Sequence, residues 1–71
     1  MGINALKLAR MRQGMTQLDL AKRAGISEKM VSFYETERGQ PKVELAVDIS
    51  RILGADPAEV FPGMFANGAG K

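Results

Sequence analysis

The sequence predicts an all-α fold, a compact domain of five short helices. Two observations carry this prediction: apolar residues recur at helical spacing in successive segments, and glycine or proline separates one segment from the next. A third observation sets the size, since 71 residues are near the lower limit for a domain held by one hydrophobic core. The chain has no cysteine and no histidine, which excludes disulfides and any metal binding or catalysis that depends on those side chains.

The first helix is predicted from about Ile3 to Arg12, where Ile3, Leu6 and Arg10 share one face. An arginine therefore lies on the side of the helix that packs against the domain. Gly14 ends this helix, because glycine is a poor helix former.

A second helix begins after Thr16, whose hydroxyl can cap its N-terminus, and Leu20 and Ala21 fall on its apolar face. Gly25 supplies the left-handed residue that ends it. A third helix then follows almost at once, with Ser27 as its cap.

This third helix is predicted to have an inner and an outer face. Val31 and Tyr34 point inward, and the outer face carries Glu28, Lys29, Ser32 and Phe33. Two short helices joined at a glycine are typical of a helix-turn-helix, whose second helix can offer its outer face to the major groove of DNA.

The run from Thr36 to Lys42 has turn chemistry, because Gly39 permits a positive φ and Pro41 forbids a helix through it. A fourth helix is predicted from about Val43 up to Gly54, with an apolar stripe of Leu45, Ile49, Ile52 and Leu53.

A short fifth helix starts at Asp56 and Pro57, a good cap and a good first helical residue, and runs through Phe61 until Pro62 ends it. The domain is thus predicted over residues 1–62. Residues 63–71 are expected to be a frayed tail that only Met64 and Phe65 could anchor.

Charge is unevenly distributed along the chain. Residues 1–42 carry eight basic and four acidic side chains, whereas residues 43–71 carry two basic and four acidic ones. Excess positive charge around the helix pair suits a polyanionic partner, although solubility alone explains so small a difference equally well. The N-terminal pattern does not fit a signal peptide and no apolar run approaches the length of a membrane span, so a cytoplasmic location is expected.

The run TQLDLAKRAGISEKMVSFYE, placed second and third among the five helices, resembles the phage-repressor and Cro-like helix-turn-helix family. The resemblance covers about residues 3–61 and includes the closing stretch LGADPAEVF. It implies a small, repressor-type transcriptional regulator that binds specific sequences of double-stranded DNA. Such a protein performs no catalysis and needs no cofactor or small-molecule ligand.

In that family the glutamine that opens the second helix binds a backbone phosphate, and Gln17, preceded by Thr16, occupies its place. Glutamine is also simply a good helix former at a first turn. Further phosphate contacts are expected on the basis of charge or polarity, although solvation explains the loop residues among them equally well; they are Thr16, Ser27, Arg38, Gln40 and Lys42.

The family's base-reading positions correspond here to Glu28, Lys29, Ser32 and Phe33. Lys29 could donate to guanine, Glu28 could accept from the cytosine amine, and Phe33 could lie against a thymine methyl group. Glu28 could instead stabilise the helix N-terminus, and Phe33 could instead fold back onto the core.

Arg10 and Glu35 each place a charge on the inward face of a helix, and the family has the same pair. Since an unpaired buried charge costs several kcal/mol, the two are expected to form a structural ion pair. One departure concerns the loop that follows, where the family commonly has a glycine two residues after the glutamate. This chain has Glu37 at that position and its glycine at Gly39.

A domain this small contacts only a few base pairs, so a homodimer on a pseudo-palindrome is expected, at least when bound to DNA. The interface candidates are the residues around the fifth helix, some of which must belong to the core: Ala58, Val60, Phe61, Met64 and Phe65.

Two other functions are alternatives to DNA binding. An antitoxin-like protein-interaction module would use exposed Leu18, Met30 and Phe33 to bind another protein. An enzyme is the weaker rival, because the carboxylates of helices four and five have no base or nucleophile beside them.

Overall fold

The computed structural model describes residues 4–65 and confirms the all-α prediction, with no strand in that part of the chain. Its five helices are α1 (Ala5–Arg12), α2 (Gln17–Ala24), α3 (Glu28–Glu35), α4 (Val43–Leu53) and α5 (Pro57–Val60). Ile3, predicted on the first helix, and residues 66–71 of the predicted tail lie outside the described residues.

Local chemistry sets the helix boundaries. The side chains of Asn4, Thr16, Ser27 and Asp56 each accept a backbone N–H at the start of a helix. Gly25 ends α2 with a φ of 73°, and Gly54 ends α4 in the same left-handed conformation.

The core lies where the helices meet. α2 packs against α3 and α4, while α1 packs against α3 and α5. The buried apolar side chains come from all five helices and the residue after α5: Leu6, Leu20, Ala21, Val31, Tyr34, Ala46, Ile49, Leu53, Val60 and Phe61.

The end of the domain differs from the prediction. α5 stops at Val60, one residue before the predicted end at Phe61, so the fifth helix ends before Pro62 as predicted. Pro62 itself begins a further helical turn over residues 62–65, which the prediction of a frayed tail from residue 63 did not include. Proline suits a first helical position because it has a fixed φ and the N–H it lacks would be unpaired there. Met64 and Phe65 are half-buried against the core.

Two of the predicted interface residues belong to the core. Val60 is 2% exposed and Phe61 is 7% exposed, since both side chains fill the space between α5 and the rest of the domain. They are therefore corrected to core positions. Ala58, Met64 and Phe65 keep part of their surface.

The loop from Thr36 to Lys42 also differs from expectation. Its left-handed residue is Glu37, with a φ of 59°, and Gly39 does not have a positive φ. Glu37 thus takes the conformation for which glycine is usually required. Gly39 is constrained by space and not by its φ, because a Cβ atom there would lie only 2.9 Å from Cζ of Phe33.

Candidate nucleic-acid interface

α2 and α3 form a tight pair joined at Gly25. The turn is closed by a hydrogen bond from Ile26 N to Ala21 O at 3.0 Å. Ser27 Oγ then accepts from Met30 N at 3.1 Å and starts α3. α3 is therefore fixed against α2 by backbone geometry as well as by packing.

One face of α3 is buried and the opposite face is open. Val31, Tyr34 and Glu35 are buried. The four predicted base-reading residues share the outer face, where Glu28, Lys29 and Phe33 are exposed and Ser32 is half-buried. The structure therefore brings these four side chains together on one accessible surface.

Phe33 is partly exposed and packs against Tyr34 and Gly39. Its side chain is 39% exposed, and its ring meets that of Tyr34 edge-on, with centroids 5.9 Å apart. The far edge of the ring lies against Gly39 in the loop after α3.

Three helices are tied together by the carboxylate of Glu35. Arg10 Nε donates to Glu35 Oε2 at 2.5 Å, and Arg10 Nη2 donates to Oε1 at 3.2 Å. Gln17 Nε2, at the start of α2, donates to the same Oε1 at 2.9 Å. Arg10 Nη1 donates to the carbonyl oxygen of Met15 at 2.8 Å. Because Arg10 is 8% exposed and Glu35 is 7% exposed, this network is nearly dry.

The N-terminus of α2 is closed by a reciprocal capping box. Asp19 N donates to Thr16 Oγ1 and Thr16 N donates to Asp19 Oδ2, both at 3.0 Å. The bond from the Thr16 backbone is the main cause that lowers the pKa of Asp19 below its ordinary value of 3.8. Desolvation opposes this shift, and the positive charges of Arg23 and Lys22 add to it.

The remaining phosphate candidates lie at the surface. Arg38, Gln40 and Lys42 are exposed on the loop between α3 and α4, and Ser27 is exposed before α3. Within residues 4–65 the salt bridges are Arg10 with Glu35 and Arg51 with Asp48, so Lys29, Arg38 and Lys42 carry no ion-pair partner there.

Two side-chain contacts of the loop after α3 were not predicted from the sequence, nor was the bond from Gln17 to Glu35. Asn4 Nδ2 donates to Glu37 Oε2 at 2.8 Å and ties the start of α1 to the loop after α3. The second is the packing of Phe33 against Gly39. The only available signal was the displaced glycine, two residues later than the resemblance implies.

Among the described residues no group of three or more potential ligands is arranged to hold a metal ion. Over the same range, every helix is too short or too polar to cross a lipid bilayer.

Comparison with known proteins agrees with this geometry. A family model described as helix-turn-helix matches residues 6–60. An uncharacterized HTH-type transcriptional regulator of Archaeoglobus fulgidus is 34% identical over 56 residues, which cover 79% of each chain. A second from the same organism is 35% identical over 52 residues, covering 73% of this chain and 74% of the relative. A third, from Methanocaldococcus jannaschii, is 33% identical over 58 residues, covering 82% of this chain and 88% of the relative.

Proposed function

We propose that this chain, which belongs to the helix-turn-helix family of DNA-binding transcriptional regulators, reads the major groove of a specific operator with α3. The family is one of DNA-binding proteins and not of enzymes. The observation that carries the proposal is the outer face of α3, where polar and charged side chains project from a helix fixed by a glycine turn.

Three side chains are proposed to contact bases. Lys29 is exposed and has no ion-pair partner in the described residues, so its ammonium group is available to the O6 and N7 atoms of guanine. Glu28 can accept from the amine of cytosine, and Ser32 can donate or accept. Phe33 lies on the same face, but its position against Gly39 favours a different role.

Phosphate contacts are proposed on both sides of α3. On one side, the backbone N–H groups of the first turn of α2 lack intrahelical acceptors, and Asp19 N already has Thr16. The Gln17 amide gives one hydrogen to Glu35 and keeps a second for a phosphate oxygen. On the other side, Arg38, Gln40 and Lys42 supply charge and polar groups along the loop.

A homodimer is proposed for the operator complex. Two α3 helices must lie about 34 Å apart to enter successive major grooves on one side of the duplex. The contact that holds them must be isologous and distant from α3. Ala58, Met64 and Phe65 are proposed for this contact, since they keep exposed surface near the end of the domain.

The decisive test is selection of bound sites from a random pool of duplex DNA, followed by affinity measurements over a range of salt concentrations. We expect an enriched site with two-fold symmetry, and an affinity that falls steeply as salt rises because phosphate contacts release counterions. No enrichment over the starting pool would overturn sequence-specific binding.

One observation favours a second candidate, a protein-interaction module. Leu18 is 45% exposed and Met30 is 36% exposed, both on the helix pair. An apolar partner could cover them, as could the thymine methyl groups of the operator. Replacing Leu18 with glutamine separates the two functions, since it should abolish binding to a protein partner and leave the salt dependence of DNA binding intact.

A further inference from the structure

We infer that Phe33 is a positioning residue, which holds the loop after α3 and so aims Arg38 at the DNA backbone, instead of contacting a base. The inference rests on the proposed DNA-binding function and assigns a role within the same surface. Phe33 contacts two consecutive residues of that loop, Arg38 and Gly39.

The first contact is made by the backbone. The carbonyl oxygen of Phe33 accepts from Arg38 N at 3.1 Å and also from Thr36 Oγ1 at 3.2 Å. These bonds close the loop back over the last turn of α3. The reversal is possible because Glu37 takes a left-handed φ of 59°.

The second contact is made by the ring. Any Cβ atom at position 39 would overlap Cε2 of Phe33 and lie 2.9 Å from Cζ, so the residue there must be glycine while the ring keeps this place. The carbonyl group that holds Arg38 belongs to the backbone and would be present with any residue at position 33, whereas the ring that covers Gly39 is specific to phenylalanine. The ring of Phe33 also meets that of Tyr34 edge-on.

The packing of Phe33 affects where the positive charge of Arg38 lies. Arg38 is exposed and lacks an ion-pair partner among residues 4–65, so the path of the backbone decides where its guanidinium group can reach. A phosphate contact made by Arg38 therefore depends on Phe33. A ring turned toward a thymine methyl group would leave Gly39 uncovered and release the loop.

The test measures affinity against salt for the full chain, on the selected operator and on a random duplex of equal length. Phe33→Ala, Gly39→Ala and Arg38→Ala should each lower the slope of log affinity against log salt by about 0.9, the value of one phosphate contact, on both duplexes. Combining Phe33→Ala with either of the other two should lower the slope no further.

Ser32→Ala is the matched control from the same face of α3. It should lose affinity on the operator alone and keep the wild-type slope. Phe33→Leu provides a second variant that keeps an apolar side chain beside Tyr34 but shortens its reach toward Gly39. It should reproduce the slope change if Phe33→Ala fails to fold.

Two results would overturn the role of Phe33 and leave the proposed function standing. One is a Phe33→Ala variant with the wild-type slope that loses affinity only on operators with thymine at one position. The other is an additive loss of slope in Phe33→Ala combined with Arg38→Ala. Wild-type affinity that does not change with salt would instead overturn the proposed function itself, and the inference with it.

Discussion

Arg10 and Glu35, which are 25 residues apart in the sequence, form a buried ion pair that joins α1 to α3. Two of the three nitrogen atoms of the guanidinium group bind the carboxylate, and the third binds the Met15 carbonyl oxygen. Gln17 Nε2, on α2, donates a further hydrogen bond to Glu35 Oε1. A polar group buried in this way is stable because each of its hydrogen-bonding atoms has a partner.

Glu35→Ala should lower the free energy of unfolding by about 3 kcal/mol, because it leaves the buried Arg10 charge without its counter-ion. Chemical denaturation followed by circular dichroism measures the loss. Asp48→Ala is the matched control, since it breaks the exposed pair with Arg51 and should cost less than about 1 kcal/mol. A loss for Glu35→Ala that is no larger than the loss for the control would contradict the structural role of the pair.

Gln17→Ala and Lys29→Ala should affect DNA binding in different ways. Gln17 is proposed to bind a phosphate, so its loss should weaken binding to operator and random duplexes about equally. Lys29 is proposed to bind a base, so its loss should cost about 1–3 kcal/mol on the operator and much less elsewhere. Fluorescence anisotropy with both duplexes measures each effect on fully folded protein. Identical profiles for the two variants would argue against separate roles.

Asp19→Asn should remove a pH-dependent part of the stability. Because the pKa of Asp19 is lowered in the folded state, chiefly by the Thr16 backbone N–H, its charged form stabilises the fold above the ordinary value of 3.8. That contribution disappears as the pH falls through the lowered pKa. The stability difference between wild type and variant should therefore shrink between about pH 5 and pH 2.

Glu44→Gln is the matched control for this pH dependence, since Glu44 lies in the first turn of α4, whose N-cap Lys42 makes no capping hydrogen bond with its side chain. If the two variants follow the same curve, the capping box does not account for the effect of Asp19.

Ala58→Asp should weaken cooperative binding to a full palindrome. The substitution would place like charges close together in the proposed isologous contact. It suits the N-terminal turn of α5 through the helix dipole, so the monomer should stay folded. Affinity for a half-site duplex is the control and should change little. Footprinting that shows one protected half-site and one wild-type protein per duplex at saturation would end the dimer hypothesis.

The helices and their caps could be predicted because each depends on residues next to it in sequence. Thr16, Gly25 and Gly54 cap the helices as predicted. Ile49 and Leu53 of the predicted α4 stripe are buried, whereas Leu45 and Ile52 are only half-buried against the core. The sequence also predicts that Arg10 and Glu35 pair, because helical periodicity places both side chains on the inward faces of their helices.

The loop after α3 could not be predicted, because its path depends on contacts between separate segments. Glu37 adopts a conformation that its side chain disfavours, and it is held by Asn4 from the start of α1. Gly39 leaves room for the ring of Phe33 in its present place, and its own backbone angles do not call for glycine. The further helical turn at Pro62 likewise involves contacts between separate segments, since Met64 and Phe65 pack against the core.

The bond from Gln17 to Glu35 also bears on the entropy of association. A mobile side chain that becomes ordered at an interface loses its rotamer freedom on binding, at a cost of about 0.5–1.5 kcal/mol. Gln17 is already held by a nearly dry carboxylate in the free protein, so this loss belongs to the folding of the domain. In the proposed phosphate contact, the amide of Gln17 has its direction set in advance, so the corresponding loss of entropy would be absent from the binding equilibrium.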